Sequence, residues 1–497
     1  MSVTDWETVI GLEVHCELAT ETKLFCGCPN DFGAEPNTYV CPVCLGLPGS
    51  LPVLNQRAVE FALRVGEALH CDLAEESIFH RKNYFYPDMP KNYQISQYDE
   101  PVCGNGWLAM PGPEGAVRRI GIERAHLEED TGKTSHVGGG GGRIHGADHS
   151  LVDYNRAGVP LLEIVSKPDL RSPEEARSYV AELRGVLEAI GVSDVKMEEG
   201  SLRVDANISL RTPGTEKLGT RTEIKNMNSL RSLARALEYE AARQAEMLES
   251  GEAVMQETRH WDEEAGRTYS LRSKEESHDY RYFPEPDLVP VMPSAEWRDQ
   301  VRAAMPELPA ARKARLMDAW GISDVDAGVL VGTPGLADYA EAAVAAGAPA
   351  TGRDVANWVT GDLMAHLKET NAVPSELPLP PGGLAELVKL VGDGTLSRPL
   401  AKEVLTAALS GEGNGSPAAI VAARGLAQVS DEGALAAAVQ AVLDAHPAEV
   451  DRYRTGEDKD RKKLRGFFMG KVMAEMKGRG NPQVLNRLLD EALPTNS

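Results

Sequence analysis

The sequence predicts an α+β protein: strands and a few helices over about the first 293 residues, then sequence that is helical throughout. Three observations predict it. Apolar and polar residues alternate at Val9–Leu18, Leu202–Arg211 and Thr220–Asn226, the two-residue period of half-buried strands. Two amphipathic helix patterns fall in the same part and supply cover for one face of a sheet. From Ser294 onward the chain is Ala-rich and helix-periodic, broken at Gly332–Gly335, at Leu377-Pro-Leu-Pro-Pro-Gly-Gly and at Ser410-Gly-Glu-Gly-Asn-Gly-Ser-Pro. The last break reads as a flexible connector by composition. Boundaries near 293 and 412 divide the chain into residues 1–293, 294–412 and 413–497.

Composition sets the outer bounds. The 497 residues suffice for about three domains. Hydrophobic residues at 42% and charged residues at 26% exclude wholesale disorder. With 52 Lys+Arg against 75 Asp+Glu, the net charge of −23 excludes a non-specific DNA coater. There is no apolar run of 18 residues, and the opening Met1-Ser-Val-Thr-Asp-Trp-Glu has neither a basic nor an apolar segment. The expectation is a cytoplasmic protein with no membrane partner.

Along the chain, the first strand buries Ile10, Leu12, Val14, Cys16 and Leu18 and turns Glu13, His15 and Glu17 to its other face. Cys26-Gly-Cys28 and Cys41-Pro-Val-Cys44 follow, two close thiol pairs twelve residues apart. Each pair fits one tight turn of a tetrahedral Zn²⁺ site, and four thiolates leave no position for water, so the metal is structural. Arg81 to Tyr93 mixes Lys82 and Lys91 with Tyr84, Phe85 and Tyr86, a set able to clamp phosphate and stack a base, or else an aromatic hairpin on the core. His126-Leu-Glu-Glu-Asp130 places carboxylates near a His; alternation from Ile120 does not decide whether Glu128 or Glu129 points inward. The five glycines Gly138–Gly142 are followed by no Lys-Ser or Lys-Thr and read as a flexible loop tip, not a phosphate loop.

Ser172-Pro173-Glu174-Glu175 is a capping box opening a helix that ends at Gly191, and Asn228-Ser229 opens a second that ends at Gly251. Between them, strand Leu202–Arg211 turns Arg203, Asp205, Asn207, Ser209 and Arg211 to one face, and the next segment turns Arg221, Glu223 and Lys225 to one face. A solvated sheet face is normally long Lys and Glu; Glu, His, Asp, Asn, Ser and Lys together form the set that holds Mg²⁺ and phosphate.

Several of these segments in order resemble the B subunit of the aspartyl/glutamyl-tRNA(Asn/Gln) amidotransferases. They are Ile10–His15, Arg81–Asp88, Tyr93–Gln97, His126–Asp130, Val152–Ser166, Val195–Arg203 and Asp279–Asp287, with Asn357-Trp-Val, Gly466–Met473 and Asn481–Asn486 in the helical part. The resemblance implies a glutamine-synthetase-like antiparallel cradle, then an all-α domain and a helical tail domain. It implies ATP-dependent phosphorylation of the side-chain carboxylate of misacylated Glu-tRNA(Gln) or Asp-tRNA(Asn), and amide formation with ammonia from a partner glutaminase. The implied partners, in a heterotrimer, are that amidase (the A subunit) and a small C subunit. Glu13, His15 and Glu129 fall in the matching motifs as catalytic Mg²⁺ ligands, the choice of Glu129 over Glu128 being the family's. Lys82, Tyr84, Lys91, Asp205, Asn207, Glu223 and Lys225 would line the ATP and phosphoryl pocket. Nothing resembles the amidase half.

The stretch Arg452–Arg479 carries ten basic and four acidic residues, a local +6, with Arg461, Lys462, Lys463, Arg465 and Lys471 as its tRNA-contacting candidates. The competing reading from another class is a non-catalytic tRNA-binding scaffold with a merely solvated acidic face; ATP turnover with aminoacyl-tRNA separates the two.

Overall fold

The computed structural model describes residues 6–112, 116–138, 146–273, 279–347, 352–428, 431–476 and 478–493. It is a mixed α and β structure built on an eight-stranded sheet. From edge to edge the strands are Arg267–Ser273, Glu257–Asp262, Thr222–Lys225, Leu202–Arg211, Glu7–Glu17, Pro160–Ser166, Val117–Glu129 and Gly106–Pro111. All neighbours are antiparallel except Thr222–Lys225 and Glu257–Asp262. Strands Phe79–Asn83 and Tyr93–Gln97 form a small sheet with Phe283–Pro284.

One face of the large sheet is apolar, as alternation requires. Ile10, Leu12, Val14, Cys16, Val204, Ala206 and Ile208 are buried in one core with Tyr179, Leu183 and Leu187 of helix Pro173–Ala189 and Leu233 and Leu237 of helix Leu230–Glu249. Each such Leu or Ile contributes about 1.5–3 kcal/mol by leaving water. Ser172 caps the first helix by accepting from Glu175 N at 3.1 Å; Glu175 in turn accepts from Arg171 N at 2.7 Å, one residue before the cap. Ser229 caps the second, and Gly251 past its end takes φ +80°, where a side chain would be strained.

The chain divides into two compact units, Met1–Leu308 and Pro309–Ser497. Helix Ala295–Ala303 lies beyond the break expected near 293, yet it buries Val301 in the first unit's core and Arg302 pairs with Glu67 at 2.7 Å. Among the described residues the named elements of the second unit are helices, and they bury two apolar clusters, one from Leu316 to Val421 and one from Leu435 to Leu493. The glycine-rich break near 412 is an ordered turn inside the first of these. Gly411, Asn414 and Gly415 take positive φ, and Gly415 sits so close to Pro378 and Pro380 that a side chain there would collide. Helix Pro417–Arg424 then packs Ile420 into the same cluster. Strands Lys133–Val137 and His149–Asp153 pair as the arms flanking the glycine run; Gly139–Gly142 lie outside the described residues. No helix among the described residues is long and apolar enough to cross a membrane.

Candidate functional site

The second face of the large sheet is the floor of the site, and strand register assembles it. Glu13 stands opposite Asp205, and His15 stands opposite Arg203 on one side and Glu163 on the other. His126 is also opposite Glu163, and Asn207 is opposite Glu223. Directly opposed residues share a face with Cβ atoms about 5 Å apart, so charged groups distant in sequence converge.

They converge as two groups. Glu13, Asp205 and Glu223 each place a carboxylate oxygen within 4.8 Å of the others, and so do His15, Glu128 and Glu163 with one ligand atom each. His15 Nε2 is 3.4 Å from Glu163 Oε2; His126 Nε2 is 3.6 Å from Glu128 Oε2 and 3.7 Å from Glu163 Oε2. Ser96 Oγ donates to Glu128 at 2.9 Å, and Asn207 Nδ2 donates to Glu13 Oε1 at 3.0 Å. Lys225 pairs with Asp205 and, at 2.9 Å, with Glu223.

The electrostatics are those of buried carboxylates interleaved with cations. Burial raises the Glu13 carboxyl, and the Glu163 and Glu223 charges raise it further. Burial opposes a charged His15, but the hydrogen bond and charge of Glu163 outweigh it and push the imidazole up to about 9. Burial likewise opposes charge on Glu163, yet the His126 and His15 rings hold its carboxyl well below the usual range. Hard oxygens with one imidazole suit a divalent cation such as Mg²⁺, which would relieve the crowded carboxylates. Above the floor opens a cleft of about 860 Å³, lined by His15, Lys82, Tyr84, Tyr86, Gln94, Glu128, Arg203, Asp205, Tyr280 and Arg281 among others.

A separate cluster of Cys26, Cys28, Cys41 and Cys44 brings four thiol sulfurs within 4.8 Å of one another. Four free, soft donors at that spacing can hold a metal ion. The Cys44 thiol is pulled down to about 5, first by its hydrogen bond with Cys26, against the effect of burial, with the Cys41 backbone and the Lys23 charge helping.

Residues 8–299 match the family model of the GatB/GatE catalytic domain, and residues 338–493 match that of the GatB domain. The chain belongs to the GatB family. It is 54% identical over 494 residues to the B subunit of the aspartyl/glutamyl-tRNA(Asn/Gln) amidotransferase of Frankia casuarinae, covering 98% of this chain and 96% of that one. The corresponding protein of Brevibacillus brevis, named in the same way, is 50% identical over 491 residues, 99% of each chain. The GatB match extends over both structural units, so the acidic floor and the helical part belong to one family architecture.

Within that architecture the structure sorts the expected residues. Glu13, His15, Asp205, Asn207, Glu223 and Lys225 share the floor, and Lys82 and Tyr84 line the cleft above it. Lys91 and Glu129 are not among them. They pair with each other, Glu129 also accepts from Ile95 N at 2.8 Å, and both line a small cavity beside Cys26 and Cys44. Glu128, not Glu129, joins His15. The cause is an irregularity in register between Ile122 and Arg124: Ile120 and Ile122 face the core before it, Ala125 and Leu127 after it, so the parity of the strand flips and Glu128 reaches the polar face.

Sequence reasoning passed over Glu163, and it named His126 and Arg203 without assigning either to the site. Glu163 had a signal, as the one charged residue in the otherwise apolar run Pro160-Leu-Leu-Glu-Ile-Val. In the tail, helix Asp458–Glu475 buries Leu464, Phe468 and Val472 and exposes Lys462, Lys463 and Lys471, while Arg465 pairs with Asp490 at 2.6 Å. Arg461 is half-buried on the same helix.

Proposed function

We propose that this chain is the ATP-using half of a tRNA-dependent amidotransferase acting in the cytoplasm, with the sheet serving as a glutamine-synthetase-like cradle. The observation that carries the reading is the paired acidic clusters on the floor of a nucleotide-sized cleft, in a chain of the GatB family. The substrate is the side-chain carboxylate of Glu-tRNA(Gln) or Asp-tRNA(Asn). A carboxylate is a poor electrophile at neutral pH. Its oxygen attacks the γ-phosphorus of ATP, ADP leaves, and the acyl phosphate formed carries phosphate as a leaving group. Ammonia from the partner glutaminase then attacks the carbonyl carbon, phosphate departs, and a proton is lost to give the amide. The third member of the heterotrimer is the small C subunit.

The chain's own groups supply position and charge. Lys82, Arg203 and Lys225 offer cations for phosphoryl oxygens, and Asn207 orients Glu13 through its 3.0 Å hydrogen bond. His15, Glu128 and Glu163, and beside them Glu13, Asp205 and Glu223, are the sets that would hold Mg²⁺. Bound there, the cation would offset charge developing on the transferred phosphoryl group. The Cys26, Cys28, Cys41 and Cys44 cluster takes a structural Zn²⁺, since four thiolates fill a tetrahedron. The exposed lysines of helix Asp458–Glu475 contact tRNA phosphates.

The test is co-expression with the amidase and the small partner, followed by an assay of charged tRNA with ATP and glutamine. Amide on the tRNA with stoichiometric ADP is the expected result. Tight tRNA binding without ATP turnover would overturn the reading in favour of a scaffold.

A further inference from the structure

The thiol cluster has a neighbour that the proposed reaction leaves unused. Lys23 is fully buried. A buried ammonium without a counter-charge is costly, and no carboxylate among the described residues forms a salt bridge with Lys23. Its Nζ donates to two backbone carbonyls, Tyr39 O at 2.7 Å and Tyr154 O at 3.3 Å, which satisfies hydrogen bonds but not charge. Its position is the informative part. The Lys23 backbone N–H donates to Cys28 O at 3.0 Å, at the first cysteine pair, while its side chain reaches Tyr39, two residues before the second. A Cβ built on Gly158 would stand 3.5 Å from both Lys23 Cδ and Cys44 Cβ, so the lysine stem and the cysteine flank the same glycine.

We propose that Lys23 is the counter-charge of the metal–thiolate centre, a positioning residue whose ammonium is neutralised by the metal-bound thiolates and which ties both cysteine pairs to the segment 154–159. The proposal rests on the zinc reading above. Four thiolates around Zn²⁺ carry a formal charge of two minus, the balance a buried ammonium lacks here. The same contacts run on toward the acidic floor. Leu24 N donates to Gly158 O at 2.9 Å, Gly158 N donates to Asp130 O at 2.9 Å, and Asp130 N donates to Val159 O at 2.8 Å. The Gly158 Cβ position is also 3.9 Å from Glu129 Oε2. One glycine, at φ +88°, therefore separates the thiol centre from Glu129. The segment next to Glu129 and Asp130 is thus hydrogen-bonded to Leu24, the residue after Lys23.

The experiment uses the full-length chain and compares wild type with Lys23→Met and Lys23→Gln. Zinc affinity is measured by competition with a chromophoric chelator, and the thiolate-to-metal charge-transfer band is recorded after Co²⁺ substitution. Both neutral variants should bind zinc about 10- to 100-fold more weakly, the range for outer groups around a metal, and the cobalt band should move to longer wavelength as the thiolates lose a nearby cation. Gln keeps an N–H donor, so it separates charge from hydrogen bonding. If Gln retains wild-type zinc affinity and an unmoved cobalt band, Lys23 is only a strut and the proposal is overturned. A wild-type chain that takes up neither metal overturns the zinc reading itself, a result distinct from weakened binding in the variants alone.

Discussion

Changing Glu163 to Gln tests the electrostatics of the floor most directly, because it removes one charge and keeps the shape. Glu163 Oε2 lies 3.4 Å from His15 Nε2, and its hydrogen bond and charge, helped by the Asp205 and Glu128 charges, lift that imidazole from 6.5 to about 9 against the effect of burial. At about 1.4 kcal/mol per pH unit, the difference is worth roughly 3 kcal/mol of preference for the protonated ring. In the Glu163→Gln protein burial is opposed only by the weaker pull of Asp205 and Glu128, and His15 should titrate well below 9. The assay is histidine NMR on isotope-labelled, cation-free protein, with the His15 resonance assigned by its absence in a His15→Gln sample. Because the folded value lies above the unfolded one, the pair's contribution to stability is complete below about pH 6.5 and disappears as pH rises through about 9. Chemical denaturation of the cation-free chain should therefore separate variant from wild type at low pH and bring them together above 9. A His15 that still titrates near 9 in the variant, or a stability gap independent of pH, would refute the reasoning.

Other outcomes follow from the same geometry. Glu128→Ala should weaken Mn²⁺ binding, measured by electron paramagnetic resonance, whereas Glu129→Gln should leave it intact and instead cost about 3–5 kcal/mol by stranding the Lys91 ammonium; equal loss of Mn²⁺ in both would return Glu129 to the cation site. Glu13→Ala should abolish carboxylate phosphorylation in a single-turnover ATP assay while tRNA affinity stays near wild type, because the loss falls on the transition state. Lys462→Ala with Lys463→Ala should flatten the plot of log tRNA affinity against log salt by roughly 0.7 to 0.9 per lost phosphate contact; an unchanged slope would remove that helix from the interface. Elemental analysis of the purified chain should find about one zinc, and metal-free protein with four freely titratable thiols would refute the centre.

What the sequence determined alone was whatever a short period or a short spacing encodes. Alternation assigned Glu13, His15, Asp205, Asn207, Glu223 and Lys225 to polar faces, and the strand pairing puts them on one floor. The capping residues Ser172 and Ser229 and the terminating Gly251 were legible because a helix end is satisfied within a few residues. The two cysteine pairs were legible for the same reason. Tertiary structure decided what depends on the register and neighbours of distant strands. One local slip beyond Ile122 reverses which of Glu128 and Glu129 faces the cleft, and no count of alternating residues reveals a bulge. Glu163 became a site residue only when its strand paired with those of His15 and His126. The glycines near 412 read as a linker by composition, yet they form a tight turn because Pro378 and Pro380 crowd Gly415, a contact made across more than thirty residues of chain. Local chemistry assigns a side chain to a face; the pairing of remote segments decides which other side chains share it.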